Sequence, residues 1–149
     1  MQVTEHLSID GEAFFGEVKK SILADIEEVR GKKAKASNVH AGYSYKRYLR
    51  GKRDEDHACQ VRIVVWDPPR EYRSTVTAQG GVTTISYVAE PTEDGGIDVT
   101  YTEEYEGGSA AQNIIQKGIG AVKQFPAKSG IKKQLRSIEA RVVAENYSV

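Results

Sequence analysis

The sequence predicts one α+β domain: an antiparallel sheet of about six strands curved around a long, kinked C-terminal helix, with a second helix near the N-terminus. Three observations predict it. A strand and an amphipathic helix open the chain, five strand-like runs follow with only short turns between them, and helical periodicity returns only past Gly107-Gly108. Strands joined by short polar or glycine-containing turns pair as antiparallel hairpins, because a parallel crossover needs a dozen or more residues.

Val3, Leu7 and Ile9 share one parity, with Thr4, His6 and Ser8 on the other, which reads as a first strand. Asp10 then supplies an N-cap, and Glu12 sits in the first turn where the helix dipole favours an acid. Phe14, Phe15, Val18, Ile22, Leu23, Ile26 and Val29 recur at three- and four-residue spacing, with Glu17, Lys19, Lys20, Asp25, Glu27 and Glu28 on the other side. That is an amphipathic helix with one core-facing stripe, stopped by Gly31. Residues 32–42 have no clear period and read as a loop or a short helical turn.

The five runs are Tyr43–Arg50, His57–Trp66, Arg70–Gln79, Val82–Glu90 and Ile97–Glu106. Alternation assigns one face to Tyr43, Tyr45 and Leu49, then Cys59, Val61, Ile63 and Val65, then Tyr72, Val76 and Ala78. The same face carries Ile85, Tyr87 and Ala89, then Ile97, Val99, Tyr101 and Tyr105, whereas the opposite parity is rich in Lys, Arg, Thr, Asp and Glu. A sheet of this pattern is wet on one side and needs a cover on the other. Only the helices are available. Past Ser109 as N-cap, Ile114, Ile115, Ile119 and Val122 form one stripe; Ile131, Leu135, Ile138 and Val142 form a second. Gly118, Gly120 and Pro126 weaken the join, so two helical pieces, 109–124 and 128–146, are expected to hinge at Pro126.

Composition agrees with one domain spanning residues 1–149: no repeat, low-complexity tract or long linker interrupts it, and 39% apolar with 28% charged residues is ordinary for a globular chain. One cysteine, Cys59, allows no internal disulfide and fits a reducing, cytoplasmic setting; its strand context reads as a buried, inert thiol. Residues 1–6 lack the charged and apolar regions of a signal peptide, and no apolar run reaches the ~20 residues of a membrane helix. Lys and Arg cluster between residues 30 and 53 among Tyr43, Tyr45 and Tyr48, opposed by an acidic set from Glu90 to Glu106. With 21 bases against 21 acids the chain lacks the long-range field that nucleic-acid binding uses, which disfavours such a partner and leaves self-association into a homodimer through complementary patches.

No reaction is specified. His6, His40 and His57 sit in unrelated segments without metal-ligand spacing, so no metal, no cofactor and no catalytic residue is nominated. Gly118-Ile119-Gly120 lacks the preceding strand and third glycine of a dinucleotide site. Two inward-parity charges stand out: Arg47 between Tyr45 and Leu49, and Glu103 between Tyr101 and Tyr105. In an apolar cavity they would have to pair or line a wet pocket. The candidate ligand-binding set is therefore Tyr43, Tyr45, Arg47, Tyr72, Tyr87, Tyr101, Glu103, Ile119 and Leu135, with the tyrosines as walls and the charges orienting a polar group.

The element order is similar to the START-like, or helix-grip, superfamily (SRPBCC, Bet v 1-like), in which a curved antiparallel sheet wraps a long C-terminal helix. Ala13-Phe14-Phe15, Gly42-Tyr43-Ser44-Tyr45-Lys46, Ile85-Ser86-Tyr87-Val88-Ala89-Glu90-Pro91, Val99-Thr100-Tyr101-Thr102-Glu103-Glu104 and Ile131-Lys132-Lys133, in that order, resemble DUF3284, a bacterial family of uncharacterised proteins. The likeness runs over roughly residues 1–143. The resemblance implies the fold and, by the habit of such folds, a small hydrophobic or amphipathic ligand between sheet and helix. Three functions follow in order: a ligand-binding module, an interaction protein using the basic surface around residues 30–53, and an enzyme similar to the cyclases and dehydratases of this superfold. An open cavity favours the first, salt-sensitive association the second, and convergent polar groups deep in the cavity the third.

Overall fold

A computed structural model describes residues 1–48, 58–78, 80–107 and 127–147. Among them the order is β1 (Gln2–Leu7), α1 (Gly11–Arg30), a 3-10 turn (Ala36–Asn38), β2 (Ser44–Tyr48), β3 (Ala58–Asp67), β4 (Glu71–Ala78), β5 (Gly81–Pro91), β6 (Ile97–Glu106) and α2 (Ala127–Tyr147). The strands form one antiparallel sheet in the order β1-β6-β5-β4-β3-β2, so the meander from β2 to β6 is closed by the first strand pairing with the last. The anticipated first helical piece, with Ile119 and Pro126, falls outside the described residues; α2 begins at the residue after Pro126.

Local chemistry sets the bounds of α1. The Asp10 carboxylate accepts the Ala13 N–H at 2.8 Å, and Gly31 takes φ 68°, a left-handed stop in which its N–H donates to the Glu27 carbonyl. Phe14, Phe15, Val18, Ile22 and Ile26 are buried, as the three- and four-residue spacing requires. Glu17 departs from the polar side assigned to it: it is buried because α2 crosses α1 there, and its carboxylate takes Lys20 Nζ at 3.3 Å and Arg141 Nε at 3.5 Å. In α2 the stripe Ile131, Leu135, Ile138 and Val142 is buried throughout. Polar contacts tie α2 to the first strand and the turn after it: Arg136 to Glu5 at 2.7 Å, and the Ser8 N–H to Glu139 at 2.6 Å.

One parity expectation fails. Ile63 faces the core, but a β-bulge between Ile63 and Val65 shifts the register of β3 against β4 by one residue. Beyond it Trp66, not Val65, pairs with Tyr72 and packs its ring on Phe15 and Tyr72. An extra residue in one strand re-aims every side chain after it, and the period alone does not reveal the insertion. The turn between β5 and β6 is closed by Asp94, whose carboxylate accepts the Gly96 N–H at 2.9 Å and the Thr92 hydroxyl. Gly96 also packs so close to the Leu7 carbonyl that a Cβ there would collide with it.

Candidate functional site: a tyrosine-walled cavity between the helices

Cross-strand register gathers aromatic residues that are far apart in the chain. Trp66 stands opposite Tyr72, Tyr72 opposite Tyr87, and Tyr87 opposite Tyr101, making one rung across β3, β4, β5 and β6. Tyr72 and Tyr87 stack at 6.2 Å and 17°, and Tyr87 meets Tyr101 at 5.4 Å. Over part of this wall the helices stand off, leaving a cavity of about 560 Å³. Its floor is Tyr45, Tyr72 and Tyr87; α1 contributes Val18, Ser21, Ile22 and Asp25; α2 contributes Gly130, Lys133, Gln134, Ser137, Ile138 and Arg141. Volumes of roughly 300–1,000 Å³ with apolar walls and a few polar groups are typical of small-molecule sites.

Of the nine residues proposed from sequence, Tyr45, Tyr72 and Tyr87 line this cavity together. Tyr43 leans on Tyr45 with ring centroids 6.2 Å apart. Tyr101 is buried behind Tyr87, and its hydroxyl donates to Glu103 at 2.7 Å. Leu135 is fully buried in the core and does not line the cavity, because its position on α2 turns it into the sheet. Ile119 lies outside the described residues. Arg47 and Glu103 both face inward but do not pair: Glu103 is engaged by Tyr101, and Arg47 makes an ion pair with Asp25 of α1.

Asp25, like Glu17, departs from the polar side that the amphipathic pattern assigns to it. It is three and seven residues beyond Ile22 and Val18, so helical geometry puts all three on neighbouring surface. Its Oδ2 accepts the Tyr45 hydroxyl at 2.5 Å, while Oδ1 faces Arg47 Nη1. The helical spacing of Asp25 from the apolar stripe was the available signal; its charge argued the other way. Arg47 Nε is buried with no hydrogen-bond partner among the described residues. Burial raises the pKa of the Tyr45, Tyr72 and Tyr87 hydroxyls above the ordinary tyrosine value, so all three are neutral groups at physiological pH. Tyr101 is raised by burial too, and further by the neighbouring Glu103 carboxylate.

Elsewhere the structure assembles a pairing that the scattered histidines did not suggest. Register places His6 of β1 opposite Asp98 of β6, with ring Nδ1 at 2.9 Å from Asp98 and Nε2 at 2.8 Å from Asp94. The hydrogen bond to Asp98 is the main cause of a raised His6 pKa, followed by that to Asp94. Asp94 is lowered to about 2, chiefly by the Thr92 hydroxyl and the Gly96 N–H. Cys59 is buried beside Arg47, and burial pushes its thiol up to about 11, which makes it a poor nucleophile. Among the described residues no three His, Cys, Asp or Glu side chains converge as metal ligands would.

The domain of unknown function DUF3284 matches residues 1–122. The chain belongs to the DUF3284 family. The match ends before α2, so the helix that forms one side of the cavity lies beyond it. Among curated proteins none matches the chain in sequence. In three dimensions this DUF3284 protein is similar to norcoclaurine synthase of Thalictrum flavum. A point mutant in complex with a transition-state analogue aligns with TM-score 0.61 at 7% identity, covering 98% of this chain and 94% of that one. A protein of Chromobacterium violaceum aligns with TM-score 0.53 at 17% identity, covering 95% of each chain. These likenesses establish the fold, which is START-like helix-grip of the Bet v 1 type. Among the described residues no helix is long and apolar enough to cross a membrane.

Proposed function

We propose that this DUF3284 protein binds a small amphipathic molecule in the cavity between α1, α2 and the tyrosine wall. The observation that carries this reading is the space itself: about 560 Å³ bounded by Val18, Ile22, Ile138 and three tyrosine rings, with Asp25, Lys133, Gln134 and Arg141 among the polar lining. A core built only for stability would close over such rings, since protein interiors pack with few voids larger than a water. Norcoclaurine synthase, the neighbour of similar fold, has been crystallised with dopamine and hydroxybenzaldehyde, and a flat aromatic ligand of that size suits three tyrosine faces. Binding ranks above catalysis because the two inward charges have partners of their own, Arg47 with Asp25 and Glu103 with Tyr101, rather than converging on a common point.

The test is native mass spectrometry of freshly purified protein, followed by titration with a naphthalene fluorophore monitored by emission. Co-purified or added ligand should bind at one site per chain. Ser21→Trp and Ser137→Trp, at exposed cavity-lining positions, should abolish that binding with little change in thermal midpoint. Probe binding that survives both substitutions would remove the cavity from the account.

A further inference from the structure

We infer that the ligand is uncharged and carries an acceptor oxygen, that of a ketone, ester or ether, which takes the Tyr87 hydroxyl on the cavity floor. The inference rests on the binding function proposed above and deepens it. Two observations carry it. The first is that the charged side chains of the lining are already engaged within the protein. Asp25 accepts the Tyr45 hydroxyl and pairs with Arg47. Arg141 meets Glu17 at 3.5 Å and lies near Glu145, and Lys20 bridges the same two acids at 3.3 and 3.0 Å. That corner sets the bases Lys20 and Arg141 against the acids Glu17 and Glu145 and is balanced. Lys133, the remaining charged residue of the lining, has an interaction of its own. A charged group on the ligand would have to displace one of these partners or lose its water without a counter-charge. Either costs more than seating a neutral group.

The second is the state of the tyrosine hydroxyls. Tyr45 donates to Asp25, Tyr101 donates to Glu103, and Ser74 stands beside the Tyr72 hydroxyl. Tyr87 lines the cavity, and its hydroxyl makes no hydrogen bond among the described residues. Burial, helped by Tyr72 and the Glu103 carboxylate nearby, keeps that hydroxyl protonated, so it has a proton to donate. A tyrosine hydroxyl inside a protein ordinarily has a partner. Tyr87 opens onto the cavity, so its acceptor comes from whatever fills that space. On the α2 side Gln134 adds an uncharged amide to the same lining, suited to a second neutral polar group. The apolar body of the ligand then lies against Val18, Ile22, Ile138 and the tyrosine rings.

The test uses the full chain and four probes of similar shape, titrated by calorimetry: 2-acetylnaphthalene, 2-naphthoate, 2-(aminomethyl)naphthalene and 2-ethylnaphthalene. The ketone should bind about tenfold more tightly than the acid or the amine, and salt should leave its affinity unchanged. Tyr87→Phe keeps the ring and removes no hydrogen bond made among the described residues, so its thermal midpoint should match that of the wild type. The same variant should bind the ketone about fivefold more weakly and the hydrocarbon as the wild type does. Acid or amine binding as tightly as the ketone would overturn the preference for an uncharged ligand. A Tyr87→Phe variant that treats ketone and hydrocarbon alike would overturn the hydroxyl contact. In either case the cavity would still stand if Ser21→Trp abolished ketone binding. No binding of any of the four would sink both readings.

Discussion

The two halves of α1 carry the same amphipathic stripe and do different things. In the first half Phe14 and Phe15 interlock edge-to-face with each other, with Tyr87 and with Trp66, at centroid distances of 5.2, 5.8 and 6.1 Å. Further along, Val18 and Ile22, themselves buried, line the cavity, and Asp25 reaches across to Tyr45 and Arg47 at the sheet's far edge. Tyr87 marks the divide, touching Phe14 while lining the cavity. The contrast teaches that one helix face can be close-packed core along one stretch and cavity wall along the next. Around the cavity the difference is side-chain size: the two phenylalanine rings fill the gap between helix and sheet and Val18 and Ile22 do not, whereas Ile26 beyond them is fully buried again.

The largest test of that contrast is truncation on each half. Phe14→Ala removes a fully buried ring and should cost about 3–5 kcal/mol in denaturant unfolding, whereas Ile22→Ala should cost about 2 kcal/mol, because one side of Ile22 already lacks packing partners. Equal costs would mean that the cavity is filled by protein. Asp25→Asn leaves Arg47, only 23% exposed, without its counter-charge, and should destabilise by about 2 kcal/mol measured the same way. Tyr45→Phe deletes one hydroxyl donor to Asp25 and should cost about 1 kcal/mol while keeping the cavity wall apolar.

The smallest effect lies away from both halves, at the exposed clamp of His6 by Asp94 and Asp98. A His6 pKa raised above 6.5 means its contribution to stability is complete below that pH and is lost as pH rises through the folded value. Asp94, lowered from 3.8 to about 2, contributes above its unfolded pKa and loses that contribution as pH falls toward 2. A pH series of thermal midpoints on wild type and His6→Gln checks the sign. The variant should lack the decline that the wild type shows as pH rises through the folded His6 value, and high salt should weaken the effect in the wild type. A variant profile that still tracks the wild type would exclude His6 as its source.

Much of the fold was legible from residue order. The Asp10 cap, the Gly31 stop and all six strands follow from local periods and turn residues, which act over a few positions. The α2 stripe from Ile131 to Val142 was legible for the same reason. The candidate site was legible only in part. Tyr45, Tyr72 and Tyr87 carried the right parity, but parity says which face a residue occupies and not which residues stand opposite one another. Val65 and Trp66 exchanged places because a bulge adds a residue without breaking the hydrophobic run. Asp25 and Glu17 were assigned to water because a carboxylate is usually solvated; partners from β2 and α2 hold them where they are.

The sequence by itself determined the element order, the hydrophobic face of each strand up to the bulge in β3, and the ends of α1, since each depends on neighbours within a turn or two. Only the tertiary structure decided that β1 closes onto β6, that Trp66, Tyr72, Tyr87 and Tyr101 form one rung, and that Lys133 and Arg141 border the same cavity as Asp25. Those relations join residues far apart in the chain, and their distances are set by sheet register and helix docking, which no local period encodes.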